Sequence, residues 1–226
     1  MIKEIIKYLS KENDDLIISY KTLRCLIGIL GILLPLINIL GGCFIANIPI
    51  QQSISMYYYT NMRDFLVGLL FVVSLFLITY KGYNLTDLII STIIGITGLG
   101  VAIFPCLSEC CETPRVGIFQ LLQSTSNYIH LSCAILFFVL LAINSIFLFT
   151  RTGVVDVTPR KITRNKIYIV CGVVILVCVL GLILSYFILS PKQRFDSKIF
   201  LILESIALLA FGISWLIKGE TLFADN

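Results

Sequence analysis

Three ionisable residues in an otherwise apolar chain could do chemistry together: Asp64, His130 and Glu204. Each stands near the start of a long uncharged tract. A charge there is costly unless it is paired, buried in protein or functional. Two carboxylates and one imidazole could hold a zinc ion with an open position, or exchange protons in a hydrolysis. Yet His130 is the only histidine, and no spaced His or Asp motif accompanies it. No cofactor or metal is therefore expected. Glu204 lies six residues past Lys198, about 9 Å further along a helix at 1.5 Å per residue. A lone carboxylate at that depth needs a partner or a proton, and Arg63 and His130 are the cations at hand.

The tract 53–70 frames this cluster. It carries Ser53, Ser55, Tyr57, Tyr58 and Tyr59, then Arg63-Asp64, and runs straight into apolar sequence. The expectation is a pocket in which Arg63 contacts an anionic group, Asp64, His130 and Glu204 form a buried network, and Tyr57 to Tyr59 fold over as a lid. Ser53, Ser55, Tyr57, Tyr58, Arg63, Asp64, His130 and Glu204 are the candidate ligand-binding residues. A purely structural network that joins helices by hydrogen bonds accounts for the same residue types.

The elements that must position these residues are transmembrane helices. The 226 residues are 58% hydrophobic and 13% charged, against about a quarter charged in a soluble domain. Tracts 25–62, 65–80, 88–108, 116–150 and 167–191 hold no Asp, Glu, Lys or Arg, and 199–217 holds only Glu204. A span needs about 20 apolar residues. The reading is an all-α, polytopic integral membrane protein with six helices near 24–44, 63–80, 86–105, 129–150, 167–189 and 199–217. Residues 1–23 form an amphipathic cytoplasmic arm, 24–217 the membrane domain and 218–226 a cytoplasmic tail. No removable signal peptide is read. Pro35 should kink the first helix. Gly95, Gly98 and Gly100 sit inside an apolar helix with no strand before them, so close helix packing explains them better than a dinucleotide loop.

Six helices put both termini on one side. Lys3, Lys7, Lys11, Lys21, Arg24, Lys81, Arg151, Arg160, Lys161, Arg164, Lys166 and Lys218 then share that side, against Arg63, Arg115, Lys192, Arg194 and Lys198. The positive-inside rule makes it the cytoplasm. The net charge of +4 reports topology rather than nucleic-acid binding. Cys43, Cys106, Cys110 and Cys111 fall on the outer side. A disulfide from Cys43 or Cys106 to one of the vicinal pair is compatible with that side, with connectivity open.

Taken in order, the pattern resembles the six-helix Frag/DRAM/Sfk superfamily and related bacterial domain-of-unknown-function proteins. It comprises the Ser- and Tyr-bearing loop, the acidic entrance to helix 2, the glycines of helix 3, Ile129-His130, and Glu204 followed by Ala207, Phe211, Gly212 and Trp215. The resemblance spans residues 24–217 and implies that Ser53, Asp64, His130 and Glu204 matter. Eukaryotic members are linked to remodelling of glycolipid anchors, autophagy and plasma-membrane lipid asymmetry. The resemblance implies a cell-membrane protein that binds, senses or helps remodel lipid. Its partner would be a membrane lipid, with no nucleic acid and with a homo-oligomer left open. The alternatives are a membrane-embedded carboxylate/His hydrolase and a purely structural membrane protein.

Overall fold

The computed structural model describes residues 20–108, 113–151 and 158–220. Most of the predicted N-terminal arm, Cys110, Cys111 and the tail beyond 220 lie outside the described residues. Among the described residues, five helices are long and apolar enough to cross a membrane. They are α1 (Tyr20–Phe44), α3 (Leu85–Ile103), α4 (Gln123–Leu148), α5 (Pro159–Ile188) and α7 (Ile199–Lys218). Between α1 and α3 runs α2 (Arg63–Thr79), 17 residues long, which packs mainly on α3 and also on α1. A 3-10 turn (Ser55–Tyr59), a short helix α6 (Pro191–Asp196) and a two-stranded hairpin, β1 (Arg115–Val116) with β2 (Leu121–Leu122), complete the described elements.

The outward surface is as apolar as the inside. Along α5, Val170, Val173, Val177, Leu180 and Leu184 are all exposed. Their spacing of three and four puts them on one helical face. Exposed apolar area on this scale does not belong in water. The chain has the build of an all-α membrane protein.

Sequence signals explain where the helices begin. Thr158 accepts a hydrogen bond from the Lys161 N–H and Pro159 takes the first helical position, so α5 opens there rather than near 167. That start carries Arg160, Lys161, Arg164 and Lys166, expected in a loop, onto the helix. Ser190 and Gln193 form a capping box that turns the expected loop into α6. Pro35 lies inside α1, and the helix widens just after it into a π turn, Ile37–Gly41.

Helices approach closely where they carry glycine. A Cβ on Gly28 of α1 would lie 2.8 Å from the Gly212 carbonyl oxygen of α7, and one on Gly212 would lie 2.7 Å from the Gly28 oxygen. Gly95 of α3 rests on the α2 backbone at Ser74 in the same manner. Small residues that let backbones touch are the usual glue of membrane bundles. Aromatic rings fill the centre: Phe137 meets Phe211, and Trp215 meets Phe211, Tyr80 and Phe149 edge-on.

The described ends of the chain lie together. Lys21 pairs with Glu220, and the Arg24 guanidinium donates to the Lys218 carbonyl. By sequence Arg24, Arg151, Arg164 and Lys218 are markers of topology, and Asp87 carries no signal of a role beyond helix capping. At this end of the bundle Arg24, Asp87, Arg164 and Lys218 are all buried. Asp87 accepts from the Tyr83 N–H at 2.9 Å and from Arg151 at 3.2 Å. Arg24 lies over the rings of Tyr20, Tyr80 and Tyr83, and Lys218 over those of Tyr83 and Phe149. The spacing Asn84-x-x-Asp87 is a helix-capping signature and was the available clue: the Asn84 side chain accepts from the Asp87 N–H.

Candidate functional site

The opposite end of the bundle holds the predicted cluster, differently arranged. The segment before α2 is clamped onto the start of α7. Gln52 supplies its carbonyl to the Leu201 N–H at 2.8 Å, and Lys198 Nζ donates to the Ile50 carbonyl at 2.6 Å. In return, Glu204 Oε2 accepts the backbone N–H of Ile54 at 2.6 Å and of Ser55 at 3.4 Å. The predicted partner of Glu204 was Arg63 or His130. Its partners are instead two peptide N–H groups at the start of the turn Ser55–Tyr59, that of Ser55 and that of Ile54 just before it. Ser53, two residues ahead of the turn, accepts from the Met56 N–H at 3.1 Å.

His130 reaches the same turn from α4. That helix starts at Gln123 rather than 129, so His130 sits two turns inside it. Its surroundings follow from the end of α3, whose last carbonyls lack helical partners. Ser126 donates to the Pro105 carbonyl at 2.8 Å. His130 Nδ1 lies 2.7 Å from the Phe104 carbonyl, and its Nε2 lies 3.1 Å from Ser55 Oγ. A carbonyl only accepts, so Nδ1 carries a proton. In the neutral ring Nε2 is then the acceptor, and Ser55 donates to it.

A cavity of about 330 Å³ adjoins this network. Its walls are apolar, from Leu66 and Leu70 of α2, Ala134 and Phe138 of α4, Leu182 of α5 and Leu208 of α7. Ser55, Tyr58, His130 and Glu204 supply its polar groups, with Tyr186 on α5. Phe187 and Ile135 also line it and are themselves exposed, so the cavity meets the apolar flank between α4 and α5. Those two helices are tight at their other ends, where Gly172 rests on Ala142 and Ser145 donates to the Tyr168 carbonyl.

Asp64 and Arg63 do not join this cluster. Both are exposed at the start of α2. Asp64 sits in the first turn, where a carboxylate suits the helix dipole. Arg63 lies over the Tyr58 ring at 4.3 Å and donates to its hydroxyl at 2.8 Å. The expected Asp64–His130–Glu204 network is therefore not assembled. Among the described residues no group of three His, Cys, Asp or Glu could hold a metal ion. Asp64→Asn is expected to leave folding unchanged, within the ±0.5 kcal/mol typical of surface substitutions. A thermal melt of the solubilised variant tests this, and a drop beyond about 1 kcal/mol would return Asp64 to the network.

The tyrosines divide instead of forming a lid. Tyr57 is fully buried in the core, Tyr58 lines the cavity, and Tyr59 donates to the Cys106 carbonyl at 2.6 Å. Among the described residues Cys43 and Cys106 are free thiols, not joined to each other; Cys110 and Cys111, the partners expected for a disulfide from one of them, lie outside the described residues. Cys106 Sγ lies buried, 3.8 Å from the Met56 sulfur. Burial, with the Glu204 carboxylate nearby, pushes its thiol up to about 12. It stays protonated at neutral pH and is a poor nucleophile.

Comparison with family models, curated proteins and solved structures finds no match to this chain. The functional reading rests on the geometry.

Proposed function

We propose that this protein is a six-span membrane protein that binds an amphiphile, such as a membrane lipid, in the cavity between α4 and α5. The observation that carries the reading is an apolar cavity whose polar groups, Ser55, Tyr58, His130 and Glu204, gather where the α2 entrance meets α4 and α7. An alkyl chain lies against the walls and the head group meets the hydrogen-bonding groups, which is the division of labour in most small-molecule pockets. The carboxylate of Glu204 favours a head group that donates hydrogen bonds over one that brings a second carboxylate. Arg63, behind Tyr58 and open to solvent, suits a phosphate at the rim.

In this reading α2 is the sixth span, about 25 Å long at 1.5 Å per residue, and both termini are cytoplasmic. The likeness of the residue pattern to the Frag/DRAM/Sfk superfamily points toward lipid in the same way.

The test is native mass spectrometry of gently solubilised protein beside Ala134→Phe, which puts a ring into the cavity. The wild type should carry a lipid-sized adduct, and the variant should lose at least tenfold of its occupancy at unchanged melting temperature. Equal adducts on both proteins would place the lipid elsewhere and sink the reading.

A further inference from the structure

We propose that Ser55 and His130 form a nucleophile–base pair that transfers the acyl group of an ester held in the cavity. The inference rests on the binding reading above and adds a reaction to it. Ser55 Oγ lies 3.1 Å from His130 Nε2, and the opposite ring nitrogen lies 2.7 Å from the Phe104 carbonyl. A serine needs an adjacent base, and the base needs a third group to fix its tautomer. The Phe104 carbonyl fills that third role by accepting the Nδ1 proton, which leaves the Nε2 lone pair facing Ser55. The imidazole is buried and Ser55 is among the residues that line the cavity, so the pair meets its substrate away from bulk water.

The two clamps on this segment hold the serine in place. Its own N–H is taken by Glu204, and Ser53 Oγ accepts the N–H of the following Met56. Glu204 thereby acts as a positioning residue. The Tyr58 hydroxyl accepts from Arg63 and retains a proton to donate, which makes it, with Tyr186, a candidate donor to a developing oxyanion.

The reaction balances with water as co-reactant. Ser55 Oγ attacks the ester carbonyl while its proton passes to Nε2. The carbon–oxygen bond to the alcohol breaks, and the departing oxygen takes the proton from Nε2. An acyl-Ser55 ester remains. Water then enters, gives a proton to Nε2 and attacks the acyl carbon. The acid leaves and Ser55 recovers its proton. A second alcohol in place of water would turn hydrolysis into acyl exchange.

The experiment uses the full chain in mild detergent and a long-chain alkyl fluorophosphonate, with peptide mapping of the labelled residue. Co-purified lipid is measured on the same samples. Labelling should fall on Ser55 and vanish in Ser55→Ala. It should slow about 100-fold or more in His130→Gln, the scale of a lost general base, while Ser55→Ala stays folded and monodisperse. A hydrogen-bonding serine with only a structural role would not react. Wild type that retains lipid but is unlabelled at Ser55 overturns the dyad and leaves the binding reading standing. Wild type with neither label nor lipid overturns both. If His130→Gln loses its fold, mapping of the label in the wild type and in Ser55→Ala decides alone.

Discussion

Gly28→Leu is expected to prevent α1 from docking on α7 and to leave the protein aggregated after extraction. The cause is local. The Cβ of any residue at 28 would lie 2.7 Å from the Leu216 nitrogen and 2.8 Å from the Gly212 oxygen, and both are backbone atoms that cannot rotate away. Gly28→Ala adds only that one carbon and should cost about 2 kcal/mol, mid-range for an overpacked core. Gly68 offers the control, because a Cβ there meets nothing within 4 Å. Gly68→Ala should be neutral or slightly stabilising, since alanine favours a helix over glycine. Size-exclusion profiles and thermal melts of the three variants separate these cases. A monodisperse Gly28→Leu protein with an unchanged melting temperature would show that the α1–α7 contact is looser than the geometry states.

Glu204→Leu should be the most damaging single change at the cavity end. It keeps the volume and removes the acceptor of the Ile54 and Ser55 N–H groups. Ile54 is buried, so its N–H has no ready substitute. An unsatisfied buried donor costs about 1–3 kcal/mol. Two of them should loosen the whole segment between α1 and α2, and bound lipid should be lost with it. Glu204→Gln retains an amide oxygen as acceptor and should lose much less, about 1 kcal/mol. Hydrogen–deuterium exchange over residues 52–60 is the readout. Fast exchange in Glu204→Leu and near-native protection in Glu204→Gln is the expected pair. Equal protection in both would mean that Lys198 and the Leu201 N–H hold the segment without help from Glu204.

The sequence exposed the helices because hydropathy is a property of the chain itself. It exposed Glu204, His130 and the Ser/Tyr turn as neighbours because alternating spans must bring helix entrances to one face. It misled on Asp64, since a charge at the start of an apolar tract looks alike whether it faces the bundle or the surface. Only the rotation of α2 about its axis decides, and its even apolarity gives little to fix that rotation. The pairing of Glu204 with peptide N–H groups was illegible for another reason: every residue offers a backbone donor, so no residue type signals it. The same holds for the Phe104 carbonyl on His130. The Ser55–His130 contact joins residues 75 positions apart, a separation at which spacing carries no information about contact. The helix starts at Gln123 and Pro159 were missed because polar residues there continue a helix beyond its apolar stretch.

The tight α4–α5 contact at Gly172 and the gap at the other end of the same helices bear on how affinity should be measured. If a ligand enters through that gap, it is already dissolved in hydrocarbon when it meets Ile135 and Phe187. Each methylene has by then gained about 0.8 kcal/mol from the bilayer. Lengthening the tail by four carbons would raise an apparent affinity referred to water by more than a hundredfold without one new contact to the protein. Selectivity for chain length belongs to the cavity only when it persists in mole-fraction units. On that scale the walls contribute shape, and the discrimination left is between head groups.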